Sequence, residues 1–144
     1  MTTGSDCIFC NILAGEAEAS LVHRDEQVAA FMDIQPVNEG HLLVVPVQHS
    51  ADLAGLDEAA GERMFAVGMR LAAALRCTGL RCEGVNFYLA DGRAAGQEVL
   101  HIHLHVVPRY AGDGFGLRRA RRLERAGRAA LDHVSSRIRK ALDG

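Results

Sequence analysis

The chain lacks the features that mark several protein classes. Its 144 residues include only 3 prolines and 15 glycines, far from a collagen-like or low-complexity composition. A net charge of −2 is too small, and an apolar fraction of 49% too large, for disorder as the main state. No apolar run approaches the roughly 20 residues that span a bilayer, so no membrane partner is expected. Residues 1–5 have no basic segment and no apolar stretch follows, which leaves the reading of a soluble, cytoplasmic protein without a secretory signal. A chain of this length builds a single domain's core without disulfide staples.

The small net charge conceals an asymmetry. Residues 1–114 hold 7 basic and 15 acidic side chains, whereas residues 115–144 hold 9 basic and 3 acidic ones. A basic tail suits nucleic acid or anionic lipid. More often such arginines form the solvated face of an amphipathic helix, and this is the expected role. No aromatic residue lies in 117–144 to stack on bases, so nucleic acid is not the expected partner. Of the four cysteines, Cys77 and Cys82 read as ordinary residues near a helix end. Cys7-x-x-Cys10 is a metal or redox pair rather than a structural disulfide.

Along the chain, residues 7–14 (CIFCNILA) have helical spacing and end at Gly15. Residues 20–23 and 27–32 read as strands joined by a turn at 24–26, and residues 33–40 as a loop. HLLVV at 41–45 is a strand that Pro46 ends. A helix is expected from about Asp57 to Arg76, with Phe65, Met69, Ala72 and Leu75 on its apolar face and Met64, Gly68 and Leu71 alongside. Strands follow at 84–90 and 99–108, separated by the small-residue loop 91–97. Residues 117–142 read as a helix with the apolar stripe Leu117, Ala120, Leu123, Gly127, Ala130, Leu131, Val134, Ile138 and Leu142. The pattern indicates α+β architecture with a largely antiparallel sheet.

His101-Ile102-His103-Leu104-His105-Val106-Val107 is the most informative stretch. Alternation along a strand puts the three histidines on one face and Ile102, Leu104 and Val106 on the other. The outer rings are then about 13 Å apart, so one metal cannot readily take all three. A division of labour follows: the middle ring aims at a substrate while its neighbours fix its tautomer and serve another site. Neutral imidazole, with an unperturbed pKa near 6.5, is a competent nucleophile toward phosphorus at pH 7.

This stretch resembles the signature of the histidine-triad (HIT) superfamily, His-φ-His-φ-His-φ-φ with φ apolar. The wider run DGRAAGQEVLHIHLHVVPRYAGDGF is similar to bacterial members and to the dinucleoside-polyphosphate-hydrolase branch. IFCNILAGE, FMDIQPVNEGHLLVVP and the spacing from Pro46 to His49 extend the likeness. The likeness covers roughly Cys7–Phe115, so residues 1–116 are read as a HIT domain and residues 117–144, outside the likeness, as a basic amphipathic helix packed on or beside it. The implied fold is a five-stranded antiparallel sheet with two main helices, in a homodimer whose sheets join.

The resemblance also implies a chemistry. The middle histidine attacks the α-phosphorus of a purine nucleotide derivative, and water or another acceptor takes the nucleotidyl group from it. His103 would be the nucleophile, and His105 would orient the reaction centre and bond phosphate oxygens. His101 would support the pocket or bind metal, with His41 close by. Ile8, Phe9, Ile12, Phe31 and Ile34 would form the base slot and Asp33 would accept from the ribose hydroxyls. Gly96 and Gln97 would bring backbone N–H groups and an amide to the phosphates, with Glu98 and Val99 beside them. Many relatives have Ser or Thr where Glu98 stands and Asn or Gln where Ala90 stands. Substrates of two kinds fit, nucleoside phosphoramidates and dinucleoside polyphosphates; the alternative is a purine-nucleotide-binding regulatory protein with little activity. Cys7 and Cys10 resemble the zinc half-site of some bacterial members, which His49 and His101 would complete as a structural Zn²⁺ centre.

Overall fold

The computed structural model describes residues 6–116 and 124–144. The chain divides into two compact units, Met1–Gly114 and Phe115–Gly144. The first contains helices α1 (Ile8–Leu13) and α2 (Glu58–Leu75) and strands β1 (Leu21–Arg24), β2 (Val28–Met32), β3 (Leu42–Pro46), β4 (Gly84–Tyr88) and β5 (Leu104–Arg109). The strands form one antiparallel sheet in the order β1-β2-β3-β5-β4. This is an α+β fold of the expected kind. Among the described residues no helix is long and apolar enough to cross a membrane.

Strand alternation sorts the core into two layers. Val28, Ala30, Leu42, Val44, Ile102, Leu104 and Val106 meet Met64, Val67, Leu71 and Leu75 of α2. Their alternates Ala29, Phe31, Leu43 and Val45 meet Phe9 and Ile12 of α1. The central strands β2 and β3 are therefore buried on both faces, which explains why their sequences show no polar alternation. Each large aliphatic side chain buried this way contributes about 1.5–3 kcal/mol. Local chemistry fixes the connections. The Asp25 carboxylate accepts from the N–H groups of Gln27 and Val28 at 2.8 and 2.9 Å, closing the β1–β2 turn. The Asp57 side chain caps α2 by accepting from Ala60 N–H. Gly40 ends the 33–40 loop with φ +102°, and a Cβ there would meet Leu80, Leu75 and Pro108 at 3.0–3.2 Å.

Three expectations need correction. The histidine strand begins at Leu104 rather than residue 99. Its ladder with β3 covers only Val44↔Leu104, Leu43↔His105 and Leu42↔Val106. Ile102 N–H instead donates to Ser50 O at 2.8 Å, where the chain beyond Pro46 has already turned. The buried face of α2 is Met64, Val67, Gly68, Leu71 and Leu75, while Phe65 and Met69 are 55% and 59% exposed. Gly68 lies on this buried face, where an added Cβ would meet the Phe87 ring at 3.1 Å, tighter than most side-chain contacts.

The third correction concerns the second unit. Its helix, α3, spans Arg128–Asp143, with Gly127 as its N-cap rather than an interior position. Leu117, Ala120 and Leu123 of the expected stripe lie outside the described residues. Ala130, Leu131, Val134, Ile138 and Leu142 form the remaining stripe; Val134 and Ile138 are 50% and 55% exposed.

Candidate active site

A cavity of about 480 Å³ opens between α1, the β2–β3 loop and the histidine row. Ile8, Phe9, Ile12 and Phe31 give it an apolar wall, and Ile34, 92% exposed, stands at its mouth. Phe9 and Ile12 belong at once to the core and to the lining. Asp33, His41, Glu98, His103 and His105 supply the polar part, with the aliphatic Val99 also in the lining.

The triad rings share a face but have separate tasks. His103 is buried, and its Nδ1 lies 2.8 Å from its neighbour's carbonyl, His101 O. A carbonyl only accepts, so Nδ1 carries the proton and Nε2 keeps a free lone pair. The Phe9 ring meets the His103 ring edge-on, with centroids 5.1 Å apart.

His105 is set by a chain of hydrogen bonds. Val37 N–H donates to His41 Nδ1 at 3.0 Å, so neutral His41 carries its proton on Nε2. That nitrogen lies 2.9 Å from His105 Nδ1, which must then accept. The His105 proton is left on Nε2. Tyr88, on the edge strand opposite, stacks on the His105 ring at 4.1 Å and 12°. Asp33 Oδ2 stands 3.5 Å from His41 Nε2, and Asp33 Oδ1 accepts from Gln35 N–H at 2.8 Å.

Burial, and next the neighbouring His103 and His41, push the His105 pKa down to about 4. Burial also lowers that of His41, against the pull of Asp33. The unfolded chain, with His near 6.5, therefore takes up protons that the folded chain does not. Stability is full above about pH 6.5 and falls as the pH drops toward about 4. Unfolding free energies from urea titrations should fall across that window, by about 1–2 kcal/mol for the partly exposed His105. A His105→Asn variant should show a flatter profile; an unchanged slope would contradict the assignment.

The 92–99 loop corrects another expectation. Gln97 does not offer its amide to the cavity. Its Oε1 accepts from Gly92 N–H at 2.8 Å, and its Nε2 donates to Ala51 O and Val99 O at 2.8 and 3.1 Å. The N–H groups of Gly96 and Gln97 are likewise used, on Arg93 O and Gly92 O. Gly96 still lines the cavity. Among the described residues the N–H groups of Glu98 and Val99, which line the cavity, have no protein acceptor.

His101 does not line the cavity. It is fully buried, and its Nε2–H donates to Pro46 O at 2.9 Å, which turns the Nδ1 lone pair toward Cys7, Cys10 and His49. Cys7 Sγ and Cys10 Sγ lie 3.4 and 3.6 Å from His101 Nδ1. His49 Nδ1 lies 3.2 Å from His101 Nδ1 and 3.3 Å from Cys10 Sγ. Donor atoms around tetrahedral Zn²⁺ are about 3.3–3.8 Å apart, so this set fits. Burial, and then the adjacent Cys7, raise the Cys10 thiol to about 11. Two thiolates this close need a cation to coexist.

Sequence reasoning missed Tyr88, Val37 and Pro46. Each acts by stacking or through a backbone group, and a backbone donor or acceptor leaves no signature in residue type. Tyr88 alone had a signal, an aromatic on a strand pairing with the triad strand.

Comparison with known proteins agrees with this geometry. A HIT domain match covers residues 14–112. A HIT family protein from Bacillus anthracis is 35% identical, with a TM-score of 0.87 over 95% of this chain and 97% of that one. A Zn-bound histidine triad family protein from Mycobacterium smegmatis is 44% identical, with a TM-score of 0.74 over 90% and 96%. A histidine triad nucleotide-binding protein from Candida albicans is 28% identical, with a TM-score of 0.83 over 95% and 97%. Since the matched residues take in the whole sheet and all three alternating histidines, the chain belongs to the histidine-triad (HIT) family, a membership that supports a nucleotide-binding hydrolase or transferase kind of function.

Proposed function

We propose that this protein cleaves nucleoside phosphoramidates or dinucleoside polyphosphates at the α-phosphorus, through a nucleotidyl intermediate on His103. The observation that carries this reading is the 2.8 Å contact of His103 Nδ1 with His101 O, which leaves Nε2 as a lone pair at the cavity. The apolar wall suits a purine and Asp33 the ribose hydroxyls. The Glu98 and Val99 N–H groups suit the phosphoryl oxygens, whose charge they would stabilise. In the first half-reaction the Nε2–P bond forms and the bond to the leaving group breaks, its electron pair departing with that group. His105 relays one proton from water to the departing atom. In the second, water attacks phosphorus, the Nε2–P bond breaks and the proton returns to solvent. Mass spectrometry of protein quenched during turnover tests this: a nucleotidyl adduct on His103 is expected. Tight AMP binding with no adduct would favour a binding protein instead.

Zn²⁺ suits the second cluster. Cys7, Cys10, His49 and His101 would hold it with a full set of four ligands. It would cross-link α1 to the segment that precedes β5, a structural task.

A homodimer is proposed through the β4 edge and the outer face of α2. β4 is an outermost strand with an open hydrogen-bonding edge, and exposed Phe65 and Met69 lie beside it, with Phe65 5.4 Å from Phe87 of β4. Phe65→Glu should convert a dimer to a monomer in sedimentation at micromolar protein. A dimer of unchanged affinity would exclude this face.

A further inference from the structure

Fixed charge in the active cavity has one sign. Its acidic lining residues are Glu18, Asp33 and Glu98, and among the described residues no Lys or Arg lines it. Burial lowers the proton affinity of His41 and His105, so these add no fixed cation at neutral pH. Asp33 accepts from Gln35 N–H and lies 3.5 Å from His41 Nε2, which leaves it acceptor capacity for the ribose hydroxyls. Glu18 and Glu98 are exposed, and among the described residues neither has an ion pair or a side-chain hydrogen bond. Glu98 lies three residues before the start of the histidine row. It adjoins the two acceptor-free N–H groups and lines the same cavity as His103 and His105. The apolar wall lies on Ile8, Phe9, Ile12 and Phe31, so the polar end around Glu98 receives the phosphoryl and leaving groups.

Only neutral N–H dipoles and a histidine proton therefore meet the phosphate, with an unpaired carboxylate beside them. One phosphoryl charge can be held this way. A run of further phosphates would face that carboxylate with no cation to offset it. We propose that Glu98 is a specificity-determining residue that favours substrates whose leaving group carries positive charge, such as an amine with a distal ammonium, over polyanionic dinucleoside polyphosphates. This rests on the reading of His103 as the nucleophile and selects between its two substrate kinds. The P–N bond breaks as described, and Glu98 acts on the distal charge and takes no proton.

The test compares wild type with Glu98→Gln on three substrates. Two are adenosine 5′-phosphoramidates of equal length, one made from 1,3-diaminopropane and one from butylamine. The third is diadenosine triphosphate. Wild type should rank them in that order by kcat/KM, with butylamine the reference within each variant. Glu98→Gln should shrink the diamine preference at least about fivefold and raise the relative rate on diadenosine triphosphate. An unchanged ratio overturns the proposal. Calorimetry with an uncleavable aminopropyl ester of AMP and with ADP must show the same ordering and the same collapse, which decides the matter even without turnover; no binding of either also overturns it. An adduct on His103 with a flat charge preference faults Glu98 alone. Charge-ordered binding that Glu98→Gln collapses, with no adduct, faults the nucleophile alone.

Discussion

His103→Ala should lower turnover by at least about 10⁴-fold while nucleotide affinity changes by less than about threefold. The reason is the separation of parts in the cavity. The base slot, Asp33 and the Glu98 and Val99 N–H groups remain, so ground-state binding persists, but no other lone pair faces phosphorus. His105 cannot substitute, because its Nδ1 accepts from His41 and its Nε2 carries the proton. His103 is buried against Phe9, so thermal melts must accompany the kinetics, and His103→Gln keeps more of the volume. Single-turnover rates and calorimetry with AMP supply the two readouts. Activity near wild type in either variant would rule out the intermediate.

Protein purified without chelator should carry close to one zinc per chain, and stripping it should lower Tm by roughly 10 °C. Four donors from three separate segments meet within 4.8 Å. Removing their common ion releases α1, a helix of 6 residues that is too short to be stable unaided. A loss of about 3–5 kcal/mol is reasonable for a domain that keeps its main core, and at about 2–4 °C per kcal/mol this gives the stated shift. Cys10→Ser should reproduce the shift, and amides of residues 8–13 should exchange faster. Elemental analysis finding no zinc would remove the claim. A bound metal would also bear on the proposed nucleophile, since the carbonyl beside His103 Nδ1 belongs to His101, one of the proposed ligands.

Much of the fold was legible because its signals are local. Pro46, Asp57, Gly15 and the apolar runs mark element ends through backbone restriction and capping, which neighbours three or four residues away decide. The errors fell where distant contacts compete. α2 offered two adjacent apolar faces, and the one that carries Gly68, close to Phe87, is the buried one. Gln97 looked like a ligand donor until the loop claimed its amide. Phe9 and Ile12 read on their own as plain core rather than slot, and they are buried in the core while also lining the cavity.

The residue order alone indicated three imidazoles set apart from Ile102, Leu104 and Val106, and those three aliphatic side chains do share one core layer although the strand itself begins only at Leu104. It also determined that a thiol pair lies at the start of a short helix. Only the tertiary structure decided what each imidazole does. His101 meets Cys7 from 94 positions away and His105 meets His41 from 64 away. Such pairings depend on sheet register and loop course, and these in turn fix which ring nitrogen holds the proton and which is left to react.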